Sequence, residues 1–253
     1  MGKDKLRKFR ENETFTCLIQ PATEDVLGKD HPLKGHWNEK VFGREAPIVL
    51  ELGCGKGEYT IDLSRRTPSC NYIGVDIKGA RLWRGAKYAH ENSLPNVAFL
   101  RTRIEFIEAL FTPGEISEIW ITFADPQIRR EKKRLTCPLF MERYRRLLRP
   151  GGIVHLKTDS RYLHEYTKAM AEANGLEILA CATDIYGRDR ASLYESPMAR
   201  SCGKDAVDAL LEVQTFYESG YLAQGIPITY ISFVIDKDGP YVSPSWDEDL
   251  WER

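Results

Sequence analysis

Short apolar runs alternate with amphipathic segments along the chain from residue 47 onwards. The apolar runs have the length of buried strands, and the segments between them space their apolar residues at a helical period. Such alternation is typical of an α/β fold with a doubly wound parallel sheet. It predicts seven strands, near residues 48–52, 72–77, 97–101, 118–123, 153–157, 176–182 and 228–235. It predicts helices near 58–65, 79–92, 104–110, 138–148, 161–174 and 205–219.

This pattern divides the chain into three parts. Residues 1–46 form a basic N-terminal arm and extension, and residues 47–236 form the α/β core, with its last strand near 228–235. Residues 237–253 form an acidic C-terminal tail. Within the core, residues 184–204 are predicted to be a long polar insertion, because glycine and proline interrupt any regular period there.

The distribution of charge is more informative than the total. Lys and Arg number 36 and Asp and Glu number 37, so the formal net charge is −1. Nine basic residues nevertheless lie between Arg129 and Arg149, against Glu131 and Glu142. A basic stretch on an otherwise neutral body suggests a surface that binds a polyanion. A solvated helix face is the alternative that charge alone leaves open.

The cysteine and apolar patterns exclude some classes of protein. The six cysteines lie far apart without a Cys-x-x-Cys pair, so no structural metal site is expected. The N-terminus lacks the apolar core of a signal peptide, and no apolar run approaches the roughly 18 residues of a membrane span. We therefore expect a soluble, cytoplasmic protein with reduced thiols and no membrane partner.

A glycine-rich turn follows the first predicted strand. Glu51 precedes Gly53, Gly55 and Gly57, three glycines at alternating positions. Because glycine lacks a Cβ, such a turn accepts positive φ and lets a bulky cofactor approach the backbone. The spacing differs from the Gly-x-Gly-x-x-Gly of dinucleotide-binding proteins and from the Gly-Lys-Ser/Thr of P-loops. An ordinary strand-to-helix turn remains the alternative on local pattern alone.

Asp76 strengthens the cofactor interpretation. It ends the second predicted strand, about 20 residues beyond the glycines, where an acid in a nucleotide-binding βαβ unit accepts hydrogen bonds from ribose hydroxyls. A strand-end Asp on its own is more often a helix cap. After a glycine turn, it predicts an adenosine ligand with free ribose hydroxyls.

Two further acids end predicted strands. Asp125 precedes Pro126 after the fourth strand, and Asp159 follows Lys157 and Thr158 after the fifth. Ligands of open α/β sheets bind outside the carboxyl ends of the strands, so Asp76, Asp125 and Asp159 are expected to converge on one cleft. Each acid alone could equally be a cap or a turn former.

Taken together, these motifs resemble those of the TrmB-type tRNA (guanine-N7)-methyltransferases. The resemblance covers most of the chain and includes Asn12 to Phe15, the glycine loop, Asp125-Pro126 with its basic run, and Thr158-Asp159. The Thr215-Phe216-Tyr217-Glu218 segment is its most discriminating element. The resemblance implies a Rossmann-like class I S-adenosylmethionine-dependent fold and methylation of guanine N7 at position 46, in the variable loop of tRNA.

The resemblance also implies roles for individual residues. Asp125 would be catalytic and would lie between cofactor and guanine. The cofactor would contact Glu51, Gly53, Gly55, Gly57, Asp76, Arg103 and Asp125. The guanine would contact Arg129, Asp159, Thr215, Tyr217 and Glu218. The segment from Leu6 to Arg10 would become ordered only on binding tRNA, since it has little apolar surface.

The chain departs from the family pattern at two places. Arg103 stands where the family has an acid, and the loop after Asp125-Pro126 lacks the usual Trp and is about two residues shorter. The alternatives are therefore an S-adenosylmethionine-dependent methyltransferase with another substrate, and a tRNA-binding module without activity. Nicotinamide-dependent reduction is the least favoured function, because the glycine loop lacks the Gly-x-Gly-x-x-Gly spacing. A monomer is expected, and a homodimer is left open.

Overall fold

The computed structural model describes residues 3–247, which form an α/β fold. The chain divides into two compact units, Met1–Ile119 and Trp120–Arg253. Within the described residues, eight strands form a mostly parallel sheet, so the predicted α/β class is confirmed with one strand more than the seven expected. The additional strand is β1, Leu18–Ile19, in the segment predicted as an extension.

In the first unit, parallel strands alternate with helices. Its strands lie in the order β1, β4 (Val97–Arg101), β3 (Asn71–Asp76) and β2 (Ile48–Leu52), and each neighbouring pair is parallel. Every residue of β2 and β3 is buried, which explains their continuous apolar sequences. After β1 the elements are α2 Thr23–Val26, a π-helix Asn38–Phe42, β2 Ile48–Leu52, α3 Glu58–Arg66, β3 Asn71–Asp76, α4 Gly79–Glu91, β4 Val97–Arg101 and a 3₁₀ helix Ile104–Ala109. Strand β5, Ile116–Thr122, begins in this unit.

The N-terminal arm is folded, contrary to the expectation that it orders only with RNA. Residues Lys3–Asn12 form helix α1, which packs on α4. Trp83 of α4 anchors it, since its indole N–H donates to Glu11 at 2.7 Å and the cations of Arg7 and Lys8 each lie 5.0 Å from its ring. The residue that stabilises the arm therefore lies in α4, and the sequence of the arm itself does not indicate it. Residues 1–2 of the predicted arm lie outside the described part.

The second unit contains an antiparallel part of the sheet. Strand β8 (Thr229–Val234) pairs antiparallel with both β6 (Leu148–Thr158) and β7 (Ile178–Ala182). After β5 the elements are a 3₁₀ helix Glu131–Lys133, α5 Pro138–Leu147, β6 Leu148–Thr158, α6 Arg161–Ala173, β7 Ile178–Ala182, α7 Arg190–Leu193, α8 Pro197–Cys202, α9 Lys204–Glu212, α10 Phe216–Ala223 and β8 Thr229–Val234. Of the predicted acidic tail, residues 248–253 lie outside the described part.

Two predictions in this unit were wrong. The helix expected over 205–219 is two helices, because Thr215 caps a new helix: its hydroxyl accepts from the Glu218 N–H at 3.2 Å, and the Glu218 carboxylate accepts from the Thr215 N–H. The polar insertion 184–204 contains α7 and α8, which bury Leu193 and Met198. Within residues 3–247, no helix has the length and apolar character needed to cross a bilayer.

Candidate functional site

The glycine loop of the first unit leaves open space beside two of its three glycines. Gly53, Gly55 and Gly57 all have positive φ, at 78°, 59° and 73°. A Cβ added at Gly53 or Gly55 would meet nothing within 4 Å. A Cβ at Gly57 would lie 2.6 Å from Cζ of Phe99, so this glycine is required for packing. The loop therefore exposes bare backbone at its first two glycines and closes on the core at the third.

Asp76 and the glycine loop are connected directly. The Asp76 carboxylate accepts the Gly55 N–H at 3.0 Å through Oδ2 and the Lys78 N–H at 2.7 Å through Oδ1. The side chain is buried at 8% exposure. A carboxylate has about four lone-pair positions, so two remain for a ligand's hydroxyls. Asp76 can thus fix the loop and bind a ribose.

Glu51 is buried beneath the loop. Its carboxylate accepts hydrogen bonds from both the N–H of Thr60, at 2.9 Å, and the Thr60 hydroxyl on α3. Burial raises the pKa of the nearby Cys54 thiol well above its usual value, and the charges of Glu51 and Asp76 raise it further. The two carboxylates therefore give the loop a negative potential, which suits a cationic ligand.

A cavity of about 380 Å³ opens within the first unit. Ile77 directly follows β3, and Thr102 and Arg103 directly follow β4, so the cavity lies at the carboxyl ends of these strands. Its volume is in the range of small-molecule sites. The guanidinium of Arg103 lies 3.1 Å from the carboxylate of Glu105, which compensates its charge. The full lining is Gln20, Pro21, Ala22, Thr23, Val26, Ile77, Arg101, Thr102, Arg103 and Phe106.

In the second unit, Asp125 lies on an exposed loop with unusual backbone angles. Gln127 and Arg129 have φ of 51° and 59°, a left-handed conformation that residues other than glycine rarely adopt. The Gln127 N–H donates to Oδ1 of Asp125 at 3.0 Å and so orients its carboxylate. Arg129 is exposed two residues further along.

Asp159 follows β6 and is half-buried. Burial raises the pKa of its carboxyl, and a hydrogen bond with the Tyr221 hydroxyl opposes that rise. Tyr221 stacks on Phe123, with ring centroids 6.1 Å apart. The structure thus brings Asp159 next to helix α10, which carries the predicted Tyr217.

The Thr215–Glu218 segment divides into exposed and buried members. Phe216 and Tyr217 are 66% and 47% exposed, whereas Thr215 and Glu218 are buried. Glu218 Oε1 lies 2.7 Å from Nζ of Lys157 and accepts from the Tyr186 hydroxyl at 2.6 Å. The structure therefore places Glu218 in an internal ion pair, with Tyr217 at the surface.

Sequence reasoning missed two residues near these positions. Lys157 precedes Thr158-Asp159 in a strand whose apolar neighbours gave no reason to expect a buried cation. Arg134 belongs to the basic run and is fully buried, while Arg129, Arg130, Lys132 and Lys133 are exposed. In the sequence, the sign that Arg134 is buried is the run of uncharged residues that follows it. No group of His, Cys, Asp and Glu among residues 3–247 is arranged to hold a metal ion.

Comparison with known proteins gives consistent results. The family model described as "Putative methyltransferase" matches residues 45–194. A tRNA (guanine-N(7)-)-methyltransferase of Christiangramia forsetii is 51% identical over 92% of this chain and 99% of its own length. One of Bacteroides thetaiotaomicron is 44% identical over 99% of this chain and 93% of its own length.

Among solved structures, the 16S rRNA methyltransferase KamB superimposes with a TM-score of 0.55 at 15% identity, covering 81% of this chain and 92% of that one. At that identity, the likeness concerns the fold. The resemblance found in the sequence is confirmed by the curated relatives. The chain therefore belongs to the tRNA (guanine-N7-)-methyltransferase family.

Proposed function

We propose that this chain transfers the methyl group of S-adenosylmethionine to N7 of a guanine in tRNA, at position 46 of the variable loop as the family implies. The observation that carries this proposal is the 51% identity to a tRNA (guanine-N(7)-)-methyltransferase across 99% of that protein. The fold alone would not decide the substrate, because one fold supports many activities.

The residues of the first unit fit the cofactor. S-adenosylmethionine, when bound, supplies an electrophilic methyl group on a positively charged sulfonium. Gly53 and Gly55 offer unobstructed backbone, and the carboxylates of Glu51 and Asp76 offer the complementary negative charge. Asp76 would accept the ribose hydroxyls, and the cavity beside Arg103 would receive the adenine.

Gly57 and Asp125 are proposed to contribute to the cofactor site in other ways than Gly53, Gly55, Glu51 and Asp76. Gly57 shapes the pocket through its packing on Phe99, because only a glycine fits there. Asp125 is also proposed to contact the cofactor, and its exposed carboxylate is oriented by the Gln127 N–H. Both roles are proposals that substitutions at Gly57 and Asp125 would test.

The chemistry requires positioning rather than proton removal. Guanine N7 has an in-plane lone pair and carries no proton, so no general base is needed. The protein's task is to hold the base at attacking distance and angle, and such positioning can contribute up to about 7–11 kcal/mol. Carboxylates such as Asp125 would also stabilise the positive charge that develops on the alkylated ring.

Asp159 is the residue proposed to grip guanine. Its half-buried carboxylate can accept the N1 and N2 hydrogens of the base while N7 points away. Glu218 is less suited to that contact, because its oxygens already accept from Lys157, Tyr186 and Thr215. We therefore assign Glu218 to the support of Thr215 and Tyr217, which complete the guanine site.

tRNA is the proposed partner, and the exposed part of the basic run is its proposed contact. Arg129, Arg130, Lys132 and Lys133 are exposed on the loop that carries Asp125. Phosphate contacts from such residues position RNA without reading its sequence. The target guanine would have to leave its stacked position, as in other enzymes that modify bases. A monomer remains the expected state.

Incubation with labelled S-adenosylmethionine and unmodified tRNA tests the proposal. We expect one methyl group per acceptor tRNA, mapped to N7 of a variable-loop guanine, and no transfer to RNase-treated material. Transfer to a protein or small molecule instead would favour the broader methyltransferase activity. Cofactor binding by calorimetry without transfer, or no cofactor binding, would favour a tRNA-binding module.

A further inference from the structure

Arg134 is a buried cation that contacts the loop carrying Asp125. Its side chain is 0% exposed, although it belongs to a run of otherwise exposed basic residues. The guanidinium carbon lies 4.0 Å from the ring centroid of Tyr166 and 4.9 Å from that of Tyr162. Arginine stacks on aromatic rings in this way through cation–π attraction, which is stronger away from water.

The hydrogen bonds of Arg134 converge on the loop backbone. Nε donates to the carbonyl of Pro126 at 3.0 Å, and Nη2 donates to the carbonyl of Gln127 at 3.2 Å. Nη2 also donates to the Tyr162 hydroxyl. A guanidinium presents several N–H groups in one plane, so it can hold two consecutive carbonyls, whereas an ammonium is a single point donor.

The loop needs such support because its backbone is strained. Gln127 and Arg129 both lie in the left-handed region, which disfavours side chains with a Cβ. Gln127 contacts both Asp125 and Arg134. Its carbonyl accepts from Arg134, and its N–H donates to the Asp125 carboxylate at 3.0 Å. The peptide unit between Pro126 and Gln127 accepts from Nε of Arg134 at its carbonyl and donates to Asp125 through its N–H, so one peptide unit links the orientation of Asp125 to Arg134.

Neighbouring groups hold Arg134 in place. Tyr166 donates to the Glu131 carboxylate at 2.7 Å, and Glu131 begins the short helix that leads to Arg134. Trp246, from the segment after β8, lies edge-on to both tyrosines at centroid distances of 5.7 and 5.5 Å. The tyrosines that the guanidinium contacts are therefore themselves held by Glu131 and Trp246.

We infer that Arg134 is a positioning residue that clamps the Asp125–Arg129 loop in its strained conformation, separate from the exposed basic residues that would contact RNA. This inference rests on the proposed function only where it predicts an effect of Arg134 on the rate of methyl transfer. The clamp itself is a property of the folded chain, so its structural consequence can be measured without substrate.

The test compares Arg134→Lys, which keeps the charge, with Arg200→Lys, an exposed arginine of α8 in the same unit. Hydrogen exchange reports on the loop through the N–H groups of Gln127 and Arg130, which donate to Asp125 and to the Gln127 carbonyl. We expect exchange at both amides to be at least about tenfold faster in Arg134→Lys and unchanged in Arg200→Lys.

Kinetics provide the second readout. Arg134→Lys is expected to lower kcat at least about tenfold while the Kd for tRNA stays within about threefold, because the residue is buried and would not touch RNA. Unchanged loop exchange would overturn the clamp, and so would weakened tRNA binding with unchanged kcat. If the wild-type protein transfers no methyl group to tRNA, the proposed function fails, and hydrogen exchange still decides the clamp.

Discussion

Lys157 and Glu218 form an ion pair that is fully enclosed by protein. Nζ of Lys157 lies 2.7 Å from Oε1 of Glu218, and both side chains have 0% exposure. The ammonium also donates to the carbonyls of Leu210 and Val213, at 2.8 and 3.0 Å, and its nitrogen lies 3.2 Å from the Tyr186 hydroxyl oxygen. The end of β6 is thereby tied to the end of α9 and the start of α10.

Replacing one partner of this pair should be strongly destabilising. Lys157→Met leaves the Glu218 carboxylate buried without its cation, and breaking a buried pair in this way costs about 3–5 kcal/mol. The free energy of unfolding in urea measures the loss. The double variant Lys157→Met with Glu218→Leu should lose less than Lys157→Met alone, because it buries no charge.

Lys168→Met is the matched control, since Lys168 pairs with Glu172 at the surface of α6 at 3.8 Å. Exposed pairs contribute about 0–1 kcal/mol, so this variant should be close to wild type. Equal stability of Lys157→Met and Lys168→Met would show that the buried pair does not hold these elements together.

The sequence predicted the elements whose signals are local. Strand β2 and its glycine loop were predicted within a residue of their observed bounds, because a continuous apolar run and alternating glycines are visible in the chain itself. The break before α10 also had a local signal, a capping box formed by Thr215 and Glu218, but the helical period of Leu210 and Leu211 with Phe216 concealed it.

Other features depended on residues far apart in the chain. The ion pair of Lys157 and the fold of α1 on Trp83 each need a partner that no local pattern identifies. Arg134 is one cation among nine in its stretch, and in the structure its contacts with two tyrosines of α6 distinguish it from its exposed neighbours. The sequence therefore predicted the strand ends at which the proposed site residues lie, but not the residues that support them.

Gly57 should be far less tolerant of alanine than Gly28. The two glycines have nearly the same φ, +73° and +71°, so both variants carry the same backbone strain. A Cβ at Gly57 would also lie 2.6 Å from Cζ of Phe99, which is fully buried, whereas a Cβ at Gly28 meets nothing within 4 Å. Overpacking adds about 1–3 kcal/mol, so Gly57→Ala should lose that much more stability in urea unfolding. Equal losses would indicate that Phe99 can rearrange.

Asp159→Ala should impair recognition of guanine. Loss of a charged acceptor for two base hydrogens costs about 1.5–3 kcal/mol, which corresponds to roughly a 10- to 150-fold fall in kcat/KM for tRNA. Tyr221→Phe removes only the hydroxyl that bonds to Asp159 and should have a smaller effect. Retention of both turnover and guanine selectivity in Asp159→Ala would assign the base contact to another residue.

tRNA binding should weaken steeply as salt concentration rises. If Arg129, Arg130, Lys132 and Lys133 contact phosphates, each neutralisation to Gln should reduce the slope of log K against log salt by roughly 1. Arg200→Gln, on exposed α8, serves as the control and should leave the slope unchanged. A flat salt response in the wild-type protein would remove the basic loop from the proposed RNA contact.

His164 should make the protein sensitive to acid. Its side chain on α6 is 0% exposed, and burial lowers its pKa to about 4 from the usual 6.5. Between these values the unfolded chain binds a proton that the folded protein does not, so stability falls as pH falls through this window. One pKa unit corresponds to about 1.4 kcal/mol, and the loss between pH 7 and pH 5 is therefore about 2 kcal/mol.

The variant His164→Gln removes this titration and should lose less stability over the same pH range in urea unfolding. His36→Gln, at an exposed histidine in the first unit, should keep the wild-type dependence. Comparing the differences between variants at each pH cancels the contribution of the carboxyl groups that all three proteins share. Parallel pH profiles for wild type and His164→Gln would mean that the buried imidazole gains its proton without opening the fold.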